Sequence, residues 1–334
     1  MSEFTIVATR GGLIESRHRV SAVVVDTGAA VIASAGDAEL QTFWRSAAKP
    51  FQLLPLLAAG GIERFQLDAE MLALACGSHN GEPVHREVGA RWLAAVGLVE
   101  SELACAGHPS LWPRLAQEMI RDNVIPTPLW SNCSGKHAGM LALATLRNWP
   151  RAGYERLGHA VQQEVEAVVS EWTGITAPQL AWGVDGCTAA AVALPLSAMA
   201  RAYALLGTST DRHAAAVRDA MMTQPYMVAG AERLDTILMR AWPGRIIVKI
   251  GAEGVYCASL PGLGLGLALK IEDGDMKCAG LALVAVLRAI VTRLAPTGEW
   301  SFDQFEGWQH PPIRDTHGQA TGHWDVVGGL TFAE

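Results

Sequence analysis

Five lysines, Lys49, Lys136, Lys249, Lys270 and Lys277, stand among 26 lysines and arginines in this chain of 334 residues. Where positive charge alone is needed the chain uses arginine, so each lysine raises a question of chemistry. A desolvated lysine gives up its proton near neutral pH and then offers a lone pair, which arginine does not do. Three of the five lie in suggestive contexts: Ser46-Ala-Ala-Lys49, Cys133-Ser-Gly-Lys136 and the strand-like Ile246-Ile-Val-Lys249-Ile-Gly251. On a helix, a spacing of three places Ser46 and Lys49 on one face. A neutral lysine there accepts the serine proton and later protonates a leaving amine. The pattern predicts an enzyme that moves protons with lysine.

The order of the motifs adds to this. After Ser-x-x-Lys come Ser78-His79-Asn80, a Ser-x-Asn, and Lys249-Ile250-Gly251, a Lys-x-Gly on a predicted strand. The order is similar to that of the serine β-lactamases, penicillin-binding proteins and glutaminases. In that scheme the first serine attacks, while the second serine and the last lysine shuttle protons and hold the substrate carboxylate. Ser78 follows Ser46 more closely than a β-lactamase would lead one to expect. Two further stretches, Asn132-Cys-Ser-Gly-Lys-His-Ala-Gly139 and Gly183-Val-Asp-Gly-Cys187, place two cysteines and a lysine in glycine-containing loops at helix starts. Together with Trp44-Arg-Ser-Ala-Ala-Lys-Pro50, Cys76-Gly-Ser-His-Asn-Gly81 and Lys249-Ile-Gly-Ala-Glu-Gly254, they make the chain resemble a known family. It is that of the rhizobial-type, zinc-containing L-asparaginases, the asparaginase II family, and the resemblance covers essentially the whole chain.

The resemblance implies hydrolysis of L-asparagine to L-aspartate and ammonia through a serine acyl-enzyme. Ser46 with Lys49, and Ser78 with Lys249, look like the family's two serine–lysine pairs; Ser46 is taken as the attacking residue, and the two pairs could exchange roles, since the sequence does not choose between the serines. Cys133, Lys136 and Cys187 look like its zinc ligands; taken without the resemblance, the two cysteines read as plain buried cysteines. A lysine ligand must be held neutral by burial and by the ion's own charge. Two thiolates and an amine suit zinc better than magnesium or calcium. The ion is expected to position substrate or stiffen the site, not to activate the nucleophile. Arg45 is the candidate for the substrate α-carboxylate, Asp185 for its α-ammonium, and His137 and Asn80 for orienting the amide or a water. His79, His85 and His108 are taken as structural. A homodimer is also implied.

Two other readings remain. A glutaminase differs by one methylene, worth about 1–3 kcal/mol of discrimination. A non-catalytic zinc- or ligand-binding protein on the same scaffold belongs to a different class, and the intact Ser46, Lys49, Ser78 and Lys249 speak against it.

The elements that must hold these residues follow from pattern. Val20–Val25 and Ala29–Ala35 read as strands around the Asp26-Thr-Gly28 turn. Helices are expected over Ser46–Ala59, Ala69–Ala75, Pro83–Val96, Lys136–Leu146, Tyr154–Glu171, Thr188–Leu205 and Cys278–Leu294, with Pro195 interrupting the sixth. Strands return at Gln179–Trp182, Arg245–Ile250, Gly254–Leu260, Leu263–Ile271, Ile313-Arg and His323–Val327. Gly262, Gly264 and Gly266 do not read as a dinucleotide loop, because no helix follows them. The expected fold is α+β and serine β-lactamase/glutaminase-like. A central antiparallel sheet is built from both chain ends, with a helical insertion over about residues 50–240, in a single catalytic domain spanning 1–334.

Composition limits the alternatives. Half the residues are apolar and 18% are charged, as in a globular chain. A net charge of −7 leaves no basic stripe for nucleic acid. Met1 to Arg19 has no apolar signal core, and the apolar run Leu281–Ile290 is too short to span a bilayer, so no membrane partner and a cytoplasmic location are expected. Six cysteines then suggest thiol chemistry or metal binding before disulfides.

Overall fold

The valine-rich run Val20–Val25 lies at the heart of a large sheet in a computed structural model of the chain, which describes residues 3–295 and 300–334. The strands in chain order are β1 (Phe4–Arg10), β2 (Leu13–Asp26), β3 (Val31–Ala35), β4 (Gln41–Phe43), β5 (Ala181–Val184), β6 (Ala190–Pro195), β7 (Ile247–Gly251), β8 (Val255–Leu260), β9 (Leu265–Ile271), β10 (Pro312–Arg314), β11 (Ala320–Gly328) and β12 (Thr331–Phe332). The helices are α1 (Lys49–Ala58), α2 (Gly61–Phe65), α3 (Ala69–Cys76), α4 (Pro83–Val96), α5 (Pro113–Arg121), α6 (Ser134–Leu146), α7 (Ala160–Thr173), α8 (Leu196–Thr208), α9 (Arg212–Thr223), α10 (Pro225–Val228), α11 (Leu234–Ala241) and α12 (Met276–Leu294).

By internal contacts the chain divides into two units. The first comprises Met1–Thr42, Pro195–Thr208 and Ile250–Glu334. Its sheet runs β10-β11-β1-β2-β9-β8-β7, with β3 pairing β2 and β12 pairing β3. Strand β2 is long enough to serve two neighbours in succession. Its first half pairs β1 antiparallel, and its second half pairs β9 from Val20↔Ile271 to Asp26↔Leu265. The exposure follows, since Leu13–Arg19 has a solvated face and Val20–Val25 is wholly buried. Helices α8 and α12 cover the sheet. At Gly266 a Cβ would lie 2.0 Å from Ala200 O and 2.3 Å from Ala204 N, so this glycine lets β9 touch the backbone of α8. The glycine-rich run is thus a packing device and not a phosphate loop.

The second unit comprises Phe43–Leu194 and Ser209–Lys249 and is mostly helical. α1, α3 and α6 pack on one another at its centre, flanked by α4, α7 and α9. α3 begins where Asp68 accepts a hydrogen bond from Met71 N, an N-cap that satisfies one orphan amide. Gly135 lets α6 approach α3: a Cβ there would lie 2.4 Å from Leu74 O. Gly135→Ala is therefore expected to cost about 1–3 kcal/mol by forcing the helices apart, read as a lower urea midpoint. An unchanged midpoint would refute the close-contact argument.

The α+β architecture, with a sheet drawn from both chain ends around a helical insertion, is as expected. Several local expectations need correction. Thr188–Leu205 is not one helix: Ala190–Pro195 is a buried strand between β4 and β5, and the helix begins only at Leu196. Alanine favours helix intrinsically, but a fully buried edge-to-edge position overrides that preference. Helix α7 starts at Ala160, not Tyr154, because Arg151–Gly158 forms turns. Ser46 lies on a short 3-10 turn, Arg45–Ala48, just before α1. No helix among the described residues is long and apolar enough to cross a membrane.

Candidate active site

All eleven residues singled out from the sequence fall in the second unit. Ser46 sits on the 3-10 turn, where residues three apart eclipse each other. The Lys49 amide donates to Ser46 O and closes that turn, so the two side chains share a face. Arg45, immediately before Ser46, has φ of 52°, a left-handed conformation that costs a non-glycine residue about 1 kcal/mol or more. Packing of Trp44 against Phe51, with ring centroids 4.8 Å apart, holds the strained corner.

Lys49 is 1% exposed and ends in a cage of oxygens. Its Nζ donates to Gly77 O, to Asn132 O at 2.9 Å, and meets Ser78 Oγ at 3.0 Å. The two carbonyls can only accept, so they claim two N–H bonds. The third position faces the Ser78 hydroxyl, as an N–H donor in the ammonium or as a lone pair in the amine. One proton therefore decides which way that hydrogen bond points. Ser78 is placed by backbone pairing, its amide donating to Val228 O at 2.7 Å and that of Asn80 to Ala229 O at 2.9 Å. The side chain that Lys49 bonds is thus Ser78, whereas the sequence motif pairs it with Ser46.

Lys249 is fully buried on β7. Burial pushes its pKa down to about 7; Asp235 opposes this, and the cations Lys49 and Arg233 add to it. Cys76 nearby is pushed up to about 12 by burial, against the pull of Lys249 and Lys49, and so stays a thiol.

Cys133, Lys136 and Cys187 converge. Lys136 Nζ donates to Cys187 Sγ at 3.0 Å and lies 3.9 Å from Asp185 Oδ2. The Cys133 thiol bonds Cys187, which lowers the Cys187 pKa to about 5 against burial, with Lys136 assisting. The same bond, with burial, raises Cys133 to about 12. For Lys136, burial pulls downward, and the charges of Cys133, Cys187 and Asp185 outweigh it and raise its pKa. Two sulfurs and one amine nitrogen meeting at a point, all buried, fit a borderline-soft ion such as zinc.

Arg45 and Asp185 find each other. Arg45 Nε and Nη2 both reach Asp185 Oδ1, at 3.0 and 2.9 Å. Burial raises the Asp185 pKa, but Lys136, Arg45 and the Gly186 amide outweigh it and lower it overall. Asn80 is occupied at both ends: its Nδ2 donates to Glu82 and Ala231 O, and its Oδ1 accepts from Arg233 at 3.0 Å. His137 Nδ1 is 2.6 Å from Tyr154 Oη, which accepts from the Ala104 amide. The Tyr154 oxygen has room to accept twice, so the tautomer of His137 decides which of the two donates, and His137 Nε2 is buried with no partner among the described residues. Burial, then Lys136, lowers the His137 pKa to about 3, so the ring is neutral. The three histidines set aside do hold loops: His79 bonds Ser134 and the Gly81 amide, His85 the Glu82 amide and Tyr226 O, and His108 the Asn132 amide.

Arg233 and Asp235 were not legible in the sequence. Arginine is common in this chain, and the loop before α11 has no motif of its own. A second donor cluster also escaped notice. His18, Asp275 and Cys278, in the first unit, have ligand atoms within 4.8 Å of one another. Asp275 there caps α12 through the Cys278 amide at 2.7 Å, and His18 Nδ1 pairs with Asp273 at 2.7 Å, so local structure accounts for both.

A family model described as L-asparaginase II matches residues 6–326. Among solved structures, Mglu in its native form is similar at 17% identity and TM-score 0.36, over 89% of this chain and 69% of that one. Mglu in its tris and glutamate form gives 18% and 0.37, over 89% and 64%. A beta-lactamase from Mycobacterium bovis gives 14% and 0.33, over 82% and 94%. No curated protein matches the chain.

Proposed function

The chain belongs to the L-asparaginase II family and is an amidohydrolase; on that premise we propose that it hydrolyses L-asparagine to L-aspartate and ammonia through an acyl-enzyme on Ser46. The observation that most supports this reading is the placement of Lys49, on the face of Ser46 and 3.0 Å from Ser78 Oγ, with its other N–H bonds held by two carbonyls.

Lys49, as the neutral amine with its lone pair turned from Ser78 Oγ toward Ser46 Oγ, takes the Ser46 hydroxyl proton as the Oγ–C bond forms at the side-chain amide carbon. Ser78, hydrogen-bonded to Lys49, relays a proton to the amide nitrogen as the C–N bond breaks, and ammonia leaves. Water then attacks the ester, its proton passes back through the lysines, the Oγ–C bond breaks and Ser46 recovers its hydrogen. Lys249, with a pKa near 7, is matched to exchanging that proton at neutral pH. Ammonia release from L-asparagine, with L-glutamine alongside, tests the reading. Faster turnover of L-glutamine would move it to a glutaminase, and no release from either amide would sink it.

Cys133, Lys136 and Cys187 are the residues that would hold a zinc ion, which would supply a fixed positive charge for orienting substrate. The chain's own part is to present Cys187 as a thiolate already, with Lys136 and Cys133 protonated. Zinc binding near neutral pH is thus expected to release one proton from Cys133 and one from Lys136. Calorimetry in buffers of different ionisation enthalpy measures this. Binding without proton release would show that Lys136 is not a ligand.

A further inference from the structure

The sequence offered Arg45 as the anchor of the substrate carboxylate, but the structure gives that arginine an anion already. Its Nε and Nη2 both fork onto Asp185 Oδ1, at 3.0 and 2.9 Å. A second arginine stands against the other serine. Arg233, at the N-cap of α11, is half-buried, and its Nη1 donates to Ser78 O at 3.3 Å and to Asn80 Oδ1 at 3.0 Å. Both acceptors are neutral, and both engage the same terminal nitrogen. Among the described residues no carboxylate forms an ion pair with Arg233. The neighbouring carboxylate, Glu82, is spent on Asn80 Nδ2, the Ala231 amide and the Tyr226 hydroxyl.

An arginine that uses one of its two terminal nitrogens on neutral oxygens retains an edge of parallel N–H bonds suited to a carboxylate. It also lies in a region of excess positive charge. Lys49, Lys249 and Arg233 face one another electrostatically, with Asp235 as the opposing carboxylate at Lys249. An incoming anion would relieve that imbalance.

We propose that Arg233 binds the α-carboxylate of an amino-acid amide substrate through its free guanidinium edge, next to Ser78. This rests on the amidohydrolase reading above. In such a substrate only two carbons separate the amide carbon from the carboxylate carbon. The anchor must therefore stand within one side chain of the reacting serines, and Arg233 touches the backbone of one of them. Its contacts to Ser78 O and Asn80 Oδ1 fix the guanidinium plane, so little side-chain entropy is lost on binding. Arg45 and Asp185 then act as a pair, with the Asp185 carboxylate facing the α-ammonium and Arg45 holding it in place. The substrate zwitterion would thus lie between two opposite charges set in different parts of the unit.

The test compares ammonia release from L-asparagine and from its α-methyl ester, which keeps the amide but lacks the carboxylate. Wild type, Arg233→Gln, Arg233→Lys and Arg45→Gln are measured in parallel. Wild type is expected to favour the free acid by about a hundredfold in kcat/KM. Arg233→Gln should bring that ratio near one, Arg233→Lys should restore part of it, and Arg45→Gln should keep it. Equal losses on both substrates in Arg233→Gln would reduce Arg233 to a support for Ser78 and overturn the proposal, as would loss of the ratio in Arg45→Gln. Wild type that releases ammonia from neither substrate sinks the amidohydrolase reading. Calorimetric binding of L-aspartate, which needs no turnover, then judges Arg233 alone, and affinity unaffected by Arg233→Gln overturns its role.

Discussion

Ser46→Ala is expected to lower kcat for ammonia release from L-asparagine by about 10⁴-fold or more, the scale of losing a nucleophile from a concerted set. Ser78→Ala is expected to cost less, about 10²–10³-fold, because it removes a proton relay and leaves the attacking group and its base in place. The ordering follows from the roles proposed for the two serines. Ser46 shares a face with Lys49 across one 3-10 turn, while Ser78 is tied down by its bond to Lys49 and by backbone pairing on the Val228–Ala229 side. Mass spectrometry of enzyme quenched during turnover, or trapped with an electrophilic asparagine analogue, locates the adduct. An adduct on Ser78 and none on Ser46 would exchange the roles of the two serines. The Lys49 contact would then be the direct base–nucleophile bond.

The second large effect concerns Lys249. Its pKa of about 7 places its change of charge within the working range. If the neutral amine is the competent form, kcat/KM should fall about tenfold per pH unit below that value and level off above it. Lys249→Arg keeps the charge but removes the exchangeable proton, and should lower kcat/KM by about 10²–10⁴-fold at every pH. A profile that stays flat for wild type between about pH 5 and 8 would exclude Lys249 from proton transfer. The same shift has a consequence for stability. Between about 7 and the ordinary 10.5 of lysine, the unfolded chain holds a proton that the folded chain has given up. Stability should therefore rise with pH through that window, as far as this residue contributes. The cost of burying the ammonium is felt in full below it.

The candidate functional residues were legible to very different degrees. Ser46, Lys49, Ser78 and Lys249 stood out because lysine is rare here and because their order along the chain is informative. Cys133, Lys136 and Cys187 stood out only through a family resemblance, since their spacing follows no local metal motif. Arg233 and Asp235 carried no signal, being an arginine among many and an acid in the first turn of a helix that no motif marks. The fold was legible where pattern and burial agree, as in Val20–Val25 and Pro83–Val96. It was misread at Ala190–Pro195, where alanines favour helix in isolation and a strand once they are buried between two others.

By itself the sequence determined the chemistry available to this protein: which nucleophiles, which titratable amines and which sulfur ligands exist, and their rough place on strands or helix starts. Those are properties of residue type and short spacing, which do not depend on the rest of the chain. Only the tertiary structure decided the pairings. It brought Lys49 to Ser78, Arg45 to Asp185 and Arg233 to Asn80, partners far apart in the chain. It also decided which lysine loses its proton. Lys136 and Lys249 are both buried, yet thiolate and carboxylate neighbours raise the pKa of one, and desolvation beside two cations lowers that of the other. Desolvation and charge proximity are properties of three-dimensional packing, and no local spacing encodes them.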